Sequence, residues 1–252
     1  MRPRVALAQN MRFGSRCGRL ACVVLAVLLG TPAGASAEEF SREFWPEVDT
    51  WLRLSPAWRL SLFVPISANV DTEYREGNVI LQADYFWGKI PDLFHARLVD
   101  EDRAGDMKAM MARGGVLGGK SLDDEGASYS EQTLFMELHV RTPLDRRILL
   151  SNRLRTDLRW LGDDADFSTR LRYRLMVEKE FETRLGSLVP YVNVEPYYDS
   201  RYGIVNRVRT IGGTSLSWSK RYALEGNVTY QYDSKSSVTN LLALNLILHL
   251  FL

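Results

Sequence analysis

The chain is poor in cysteine, in histidine and in long apolar runs. Cys17 and Cys22 are its two cysteines, and both precede residue 37, in a stretch that reads as a leader. There Arg2, Arg4, Arg12, Arg16 and Arg19 lead into the apolar run LACVVLAVLLG (20–30), followed by TPAGASA, in which Ala35-Ser36-Ala37 fits the small-residue cleavage pattern. The run is too short to cross a bilayer as a helix. Residues 1–37 are read as a cleaved secretory signal peptide, within which Met11 opens a shorter leader of the same kind, and 38–252 as the mature protein. Cys22 lies near the start of the apolar run with Arg19 three residues before it, which does not fit a lipoprotein anchor. The mature chain then has no thiol, which excludes a disulfide scaffold and thiol chemistry in an oxidising compartment.

Other shortages exclude more. Removing the leader takes away five arginines and no acid, so the 32 basic and 31 acidic residues of the whole chain become a mature net charge near −4; no basic surface for nucleic acid is implied. The three histidines, His95, His139 and His249, form no tight pair and give no metal-ligand spacing. No cofactor is expected. After residue 37 no run of eighteen apolar residues occurs, so no helix is expected to cross a membrane.

What the chain does have is period two, in segments longer than the five or six residues usual in soluble domains. In WRLSLFVPISANVD (58–71) Trp58, Leu60, Leu62, Val64, Ile66, Ala68 and Val70 share one face against Arg59, Ser61, Ser67, Asn69 and Asp71, with Phe63 and Pro65 as exceptions. In 79–87 Gln82 and Asp84 oppose an apolar face. In 133–141 Glu137, His139 and Arg141 oppose Leu134, Met136, Leu138 and Val140. In 147–160 Leu150, Leu154, Leu158 and Trp160 alternate with Arg153, Arg155, Asp157 and Arg159; in 167–181 Phe167, Leu171, Tyr173, Leu175 and Val177 alternate with Arg170, Arg172, Arg174, Glu178 and Glu180. Further strands are predicted at 43–54, 107–118, 188–198, 204–218, 221–233 and 238–252, with turns such as Ser55-Pro56-Ala57 and Ser219-Lys220-Arg221 between them.

This spacing predicts an all-β transmembrane antiparallel up-and-down β-barrel. Eleven segments conflict with the even strand number of bacterial single-chain barrels. Twelve strands are preferred, with 93–99 as the extra one; ten follow if 107–118 lies outside the wall. Trp58, Trp87, Trp160 and Trp218 stand at strand ends on the apolar parity, as interfacial girdles require. A secreted β-sandwich with core-edge aromatics is the alternative. In LLALNLILHLFL (241–252) the even leucines form a lipid face, while Asn245 and His249 point inward with Ala243, Ile247 and Phe251. A helix of that length would reach only roughly 18 Å, short of a bilayer, whereas a strand reaches roughly 40 Å. Barrels of this kind end in an outward aromatic, but here Leu252 holds that position and Phe251 is one residue short.

Candidate functional residues form a ladder on the inferred inner face: Arg153, Arg155 and Arg159, then Arg170, Arg172 and Arg174, then Arg207 and Arg209, with Glu178, Glu195 and Glu225 among the opposite charges. Cross-strand pairing would fill the lumen; unpaired, the same groups would bias a narrow channel toward anionic solutes. His139 beside Glu137, with serines available, leaves a Ser-His-acid enzyme acting on envelope lipids open as an alternative. Asp163, Asp164 and Asp166 with Asp123, Asp124 and Glu125 make acidic loops, read as solvated charge or as lipopolysaccharide contacts bridged by divalent cations. The partners expected are outer-membrane lipids, lipopolysaccharide, the barrel-assembly machinery through the last strand, and small solutes.

EFWPEVDTWLRLSPAWRLSLF (43–63), NRLRTDLRW and TRLRYRL (152–160, 169–175), VEPYYDSRY (194–202), RVRTIGG (207–213) and YQYDSKSS (230–237) together resemble the domain-of-unknown-function 2490 family of proteobacterial outer-membrane proteins. The resemblance implies a β-barrel in the outer membrane and no particular reaction.

Overall fold

A computed structural model describes residues 40–90, 108–122, 130–144, 147–162, 164–236 and 238–252. The strands are β1 (Phe40–Arg53), β2 (Trp58–Asn69), β3 (Arg75–Lys89), β4 (Lys108–Ser121), β5 (Ser130–Leu144), β6 (Ile148–Leu161), β7 (Asp166–Lys179), β8 (Phe181–Thr183), β9 (Gly186–Asp199), β10 (Ile204–Ser217), β11 (Tyr222–Asp233) and β12 (Asn240–Phe251). All eleven predicted segments are strands, and the count of twelve holds. The twelfth, however, is the three-residue β8, whose pair Phe181↔Leu188 continues the register of Glu178↔Tyr191 between β7 and β9. It extends β7 past Glu180. Residues 93–99 lie outside the described residues, and β3 pairs directly with β4, so no strand stands between them.

The sheet closes on itself. Each hairpin neighbour pairs antiparallel, and β1 joins β12 in a parallel ladder from Phe40↔Asn240 to Trp51↔Phe251. With eleven long strands in the wall this is forced, because an odd meander brings its first and last strands together pointing the same way. The antiparallel pairing expected throughout is broken at this one seam, β1–β12. Consequently β1 begins at one rim, here the N rim, and β12 ends at the other, the C rim. Around Pro46 and Pro65, which have no N–H to donate, the β1–β2 ladder skips from Phe44 to Glu47 and the β2–β3 ladder from Phe63 to Ile66.

Turn chemistry sets the hairpins. Ser55 Oγ accepts from the amides of Ala57 (3.2 Å) and Trp58 (3.1 Å), and Ser219 Oγ from those of Arg221 and Tyr222. Gly162, at φ +68°, and Ala165, at φ +53°, are the left-handed residues described between β6 and β7.

Closure sorts the side chains by parity. Met136 (71% exposed), Leu134, Leu138, Leu154, Val192, Leu244 and Leu246 face outward, while Arg59, Asp84 and Asp157 are fully buried. Charge is inside and hydrocarbon outside, the reverse of a water-soluble domain. Outward aromatics collect near both rims: Trp58, Tyr85, Trp87, Phe181, Trp218 and Tyr222 at the C rim, and Phe40, Phe44, Trp160, Phe167, Tyr198, Tyr230 and Tyr232 at the N rim. Tyr222 and Tyr230 of β11 stand roughly 26 Å apart along the strand, or roughly 20 Å along the axis of a barrel tilted by about 40°. Phe63 and Phe251, which break the apolar parity, turn inward onto Trp51, Phe63 edge-on at 4.7 Å and Phe251 stacked at 6.4 Å.

Candidate functional site

The candidate site is the charged interior. One row of directly opposed residues runs around the wall: Arg53, Arg59, Asp84, Arg113, Glu137, Arg155, Arg172, Tyr197, Arg207 and Asp233, one from each strand from β1 to β11, β8 excepted. Alternating sign lets neighbours bond. Arg59 Nε and Arg113 Nε each donate to Asp84 at 2.7 Å, and Arg155 Nη1 donates to Glu137 at 2.9 Å. Arginines meet twice in the row, Arg53 with Arg59 and Arg155 with Arg172, and at the second meeting acids of adjoining rows intervene. Asp157 accepts from Arg155 and, at 2.9 Å, from Arg170, while Glu195 accepts from Arg172 at 2.8 Å.

The remaining ladder residues join the same network. Arg153 bonds Glu195 at 2.6 Å and approaches Glu137 at 3.7 Å; Arg159 bonds Glu131 at 3.0 Å and approaches Asp199 at 3.5 Å. Arg174 lies opposite Arg153 in the β6–β7 ladder. Arg207 donates to Asp233 at 2.8 Å, and Arg209 donates to Gln231 with its guanidinium 5.3 Å from the Trp45 ring. Glu178 accepts from Ser151 at 3.0 Å. Glu225 is apart from the arginines: it accepts from Asn227 (3.1 Å) and Tyr191 and meets His249 Nε2 at 3.3 Å, while His249 Nδ1 meets Asp49 at 3.2 Å.

Aromatic faces take up the guanidinium planes. Arg155 lies 4.0 Å over Phe135, Arg59 4.1 Å over Trp51, and Arg172 4.5 Å over Tyr197. Gly115 makes room for the Phe135 ring: a Cβ there would stand 2.6 Å from its Cζ. Met111, Phe135, Arg59, Asp84, Asp157 and Thr229 are fully buried. At those levels the inward side chains are packed against their neighbours.

Several expected features fall elsewhere. His139 is buried with Nε2 2.7 Å from Glu137, as a member of the ion network. His95, Asp123, Asp124, Glu125 and Asp163 lie outside the described residues; Asp164 and Asp166 are exposed. Among the described residues no group of His, Asp and Glu has metal-binding geometry. At the N rim the Arg42 guanidinium, on β1, hydrogen-bonds Asp71 in the turn after β2 at 3.1 Å and holds its carboxyl below the usual carboxylate range. Sequence reasoning passed over Arg113 and left Arg59 and Asp84 out of the ladder. Arg113 sits in the glycine-rich MARGGVLGGK, whose alternation is weak; Arg59 is the one charge of β2, and Asp84 is the one charge in the stretch from Gly77 to Gly88 of β3.

No curated protein matches the chain. The family described as "Protein of unknown function (DUF2490)" matches residues 107–241, from the start of β4 to the start of β12, and so takes in the Arg113, Glu137, Asp157 and Glu195 clusters. With more than half of its length matched, the chain belongs to the DUF2490 family.

Proposed function

We propose that this protein is an integral barrel of a Gram-negative outer membrane whose lumen is closed by its own ion network, serving as a structural or lipid-contacting element of the envelope and not as an open pore. The observation that carries the proposal is the inverted polarity: leucine, valine and methionine outside, paired guanidinium and carboxylate groups inside. A soluble sandwich keeps its apolar face in its core; this wall has its apolar face on the only side that lipid could reach. Two aromatic girdles support the same reading, since their separation is close to the roughly 25 Å apolar band of such barrels. In this reading the 1–37 leader directs export, the last strand engages the assembly machinery, and lipopolysaccharide meets one rim.

Fractionation tests the location: the protein is expected in the outer-membrane fraction, extractable only with detergent and faster-migrating unboiled than boiled on gels. Recovery in the aqueous periplasm would reject the proposal. Closure is tested in planar bilayers, where the purified protein is expected to give no discrete conductance steps and the joint substitution Phe135→Ala with Arg155→Ala to create them. Steps from the unaltered protein, with ion selectivity that changes on charge reversal at Arg172 or Arg207, would establish a channel for small solutes instead.

A further inference from the structure

Among the described residues the two rims differ in charge. At the C rim Arg147, just before β6, Lys179 at the end of β7, Arg184 in the turn at 184–185, and Lys220 and Arg221 in the turn at 218–221 form a basic arc, and Glu182 is the one exposed acid among its described residues. Arg147 is engaged with Glu182 at 2.8 Å, and Lys179 Nζ lies 5.2 Å from the Phe181 ring. Arg184, Lys220 and Arg221 are exposed. Residues 91–107, between β3 and β4 in the sequence, lie outside the described residues. At the N rim Asp71, Glu73, Asp164 and Asp166 are exposed among the cations, and Arg42 and Arg201 are committed to Asp71 and Asp199.

The basic arc also sits just beyond outward Phe181, Trp218 and Tyr222 and beside exposed Leu144, Leu185 and Leu252. Aromatic rings at the interface with cations one step farther out match the layering of a leaflet, acyl chains below and phosphates above. We propose that this arc binds the phosphates of anionic glycerophospholipids in the leaflet at the C rim. The proposal rests on the membrane reading above. Each exposed cation near such a leaflet favours anionic over zwitterionic lipid severalfold.

Because the mature chain has no cysteine, single-cysteine variants can report it. Leu185→Cys on the arc and Leu122→Cys at the N rim are labelled with an environment-sensitive fluorophore in phosphatidylcholine vesicles holding either brominated phosphatidylglycerol or brominated phosphatidylcholine at equal mole fraction. Quenching at Leu185→Cys is expected to be at least about threefold more efficient with the anionic lipid, and about equal for the two lipids at Leu122→Cys. The preference should disappear with Arg184→Glu, Lys220→Glu and Arg221→Glu together, and in about 1 M salt, where the screening length falls to about 3 Å. Salt acts on the unaltered rim, so it decides the matter even if the triple variant does not fold. Equal quenching at Leu185→Cys, or a preference that survives both treatments, overturns the proposal and leaves the membrane reading standing. Absence of quenching by either lipid at both sites overturns the membrane reading as well.

Discussion

Asp157→Asn is the most direct probe of the interior network. Asp157 is fully buried and accepts from Arg155 Nε and from Arg170 Nε at 2.9 Å, with Arg172 Nη1 at 3.9 Å. The substitution keeps size and shape and removes one charge. Two of the three arginines retain carboxylates, Arg155 at Glu137 (2.9 Å) and Arg172 at Glu195 (2.8 Å). Arg170 keeps the Tyr197 ring at 5.6 Å, a poor substitute. A close ion pair at an effective dielectric of about 20 is worth about 4 kcal/mol, and removing one partner of a buried pair costs about 3–5 kcal/mol. With a urea dependence of about 2 kcal/mol per molar, the unfolding midpoint of protein folded in vesicles should fall by about 2 M. Adding Arg170→Gln should recover most of that loss, because the cation left without its carboxylate is then gone. The exposed pair Arg42–Asp71 serves as control, and Asp71→Asn should leave the midpoint unchanged. A loss below about 1 kcal/mol for Asp157→Asn, or an Arg170→Gln effect as large in that background as in the parent, would show that the interior is hydrated and its pairs are screened.

Leu138→Arg, at the middle of the outward face of β5, should cost about 2–4 kcal/mol in vesicle-folding titrations, and a neutral effect would mean that this face meets water. In β4, Gly115→Ala should destabilise by about 1–3 kcal/mol, since its Cβ would stand 2.6 Å from both the Leu81 carbonyl oxygen and the Phe135 ring; Gly118→Ala, which meets nothing within 4 Å, should be neutral or slightly stabilising by the same unfolding assay. Thr72→Cys and Ser219→Cys lie in turns at opposite rims. In intact cells an impermeant maleimide should label one of the two and spare the other, and labelling of both alike would contradict the eleven-strand wall across a membrane.

The places of the eleven long strands follow from the chain alone, because period two is imposed residue by residue by the pleat. The inner parity of Arg153, Arg155, Arg159, Arg170 and Arg172 could be read the same way, since Leu154, Leu158, Leu171 and Tyr173 alternate with them. What local pattern could not supply is pairing between residues far apart. Arg153 bonds Glu195 across the intervening β7, Tyr191 reaches Glu225 past β10, and Arg209 meets Trp45 from three strands away. Those contacts depend on register and tilt accumulated around the whole ring. The parallel β1–β12 seam is of the same kind: nothing in either strand specifies its direction relative to the other. Only the number of strands between them does, once the sheet has closed and left no edge with unpaired backbone groups.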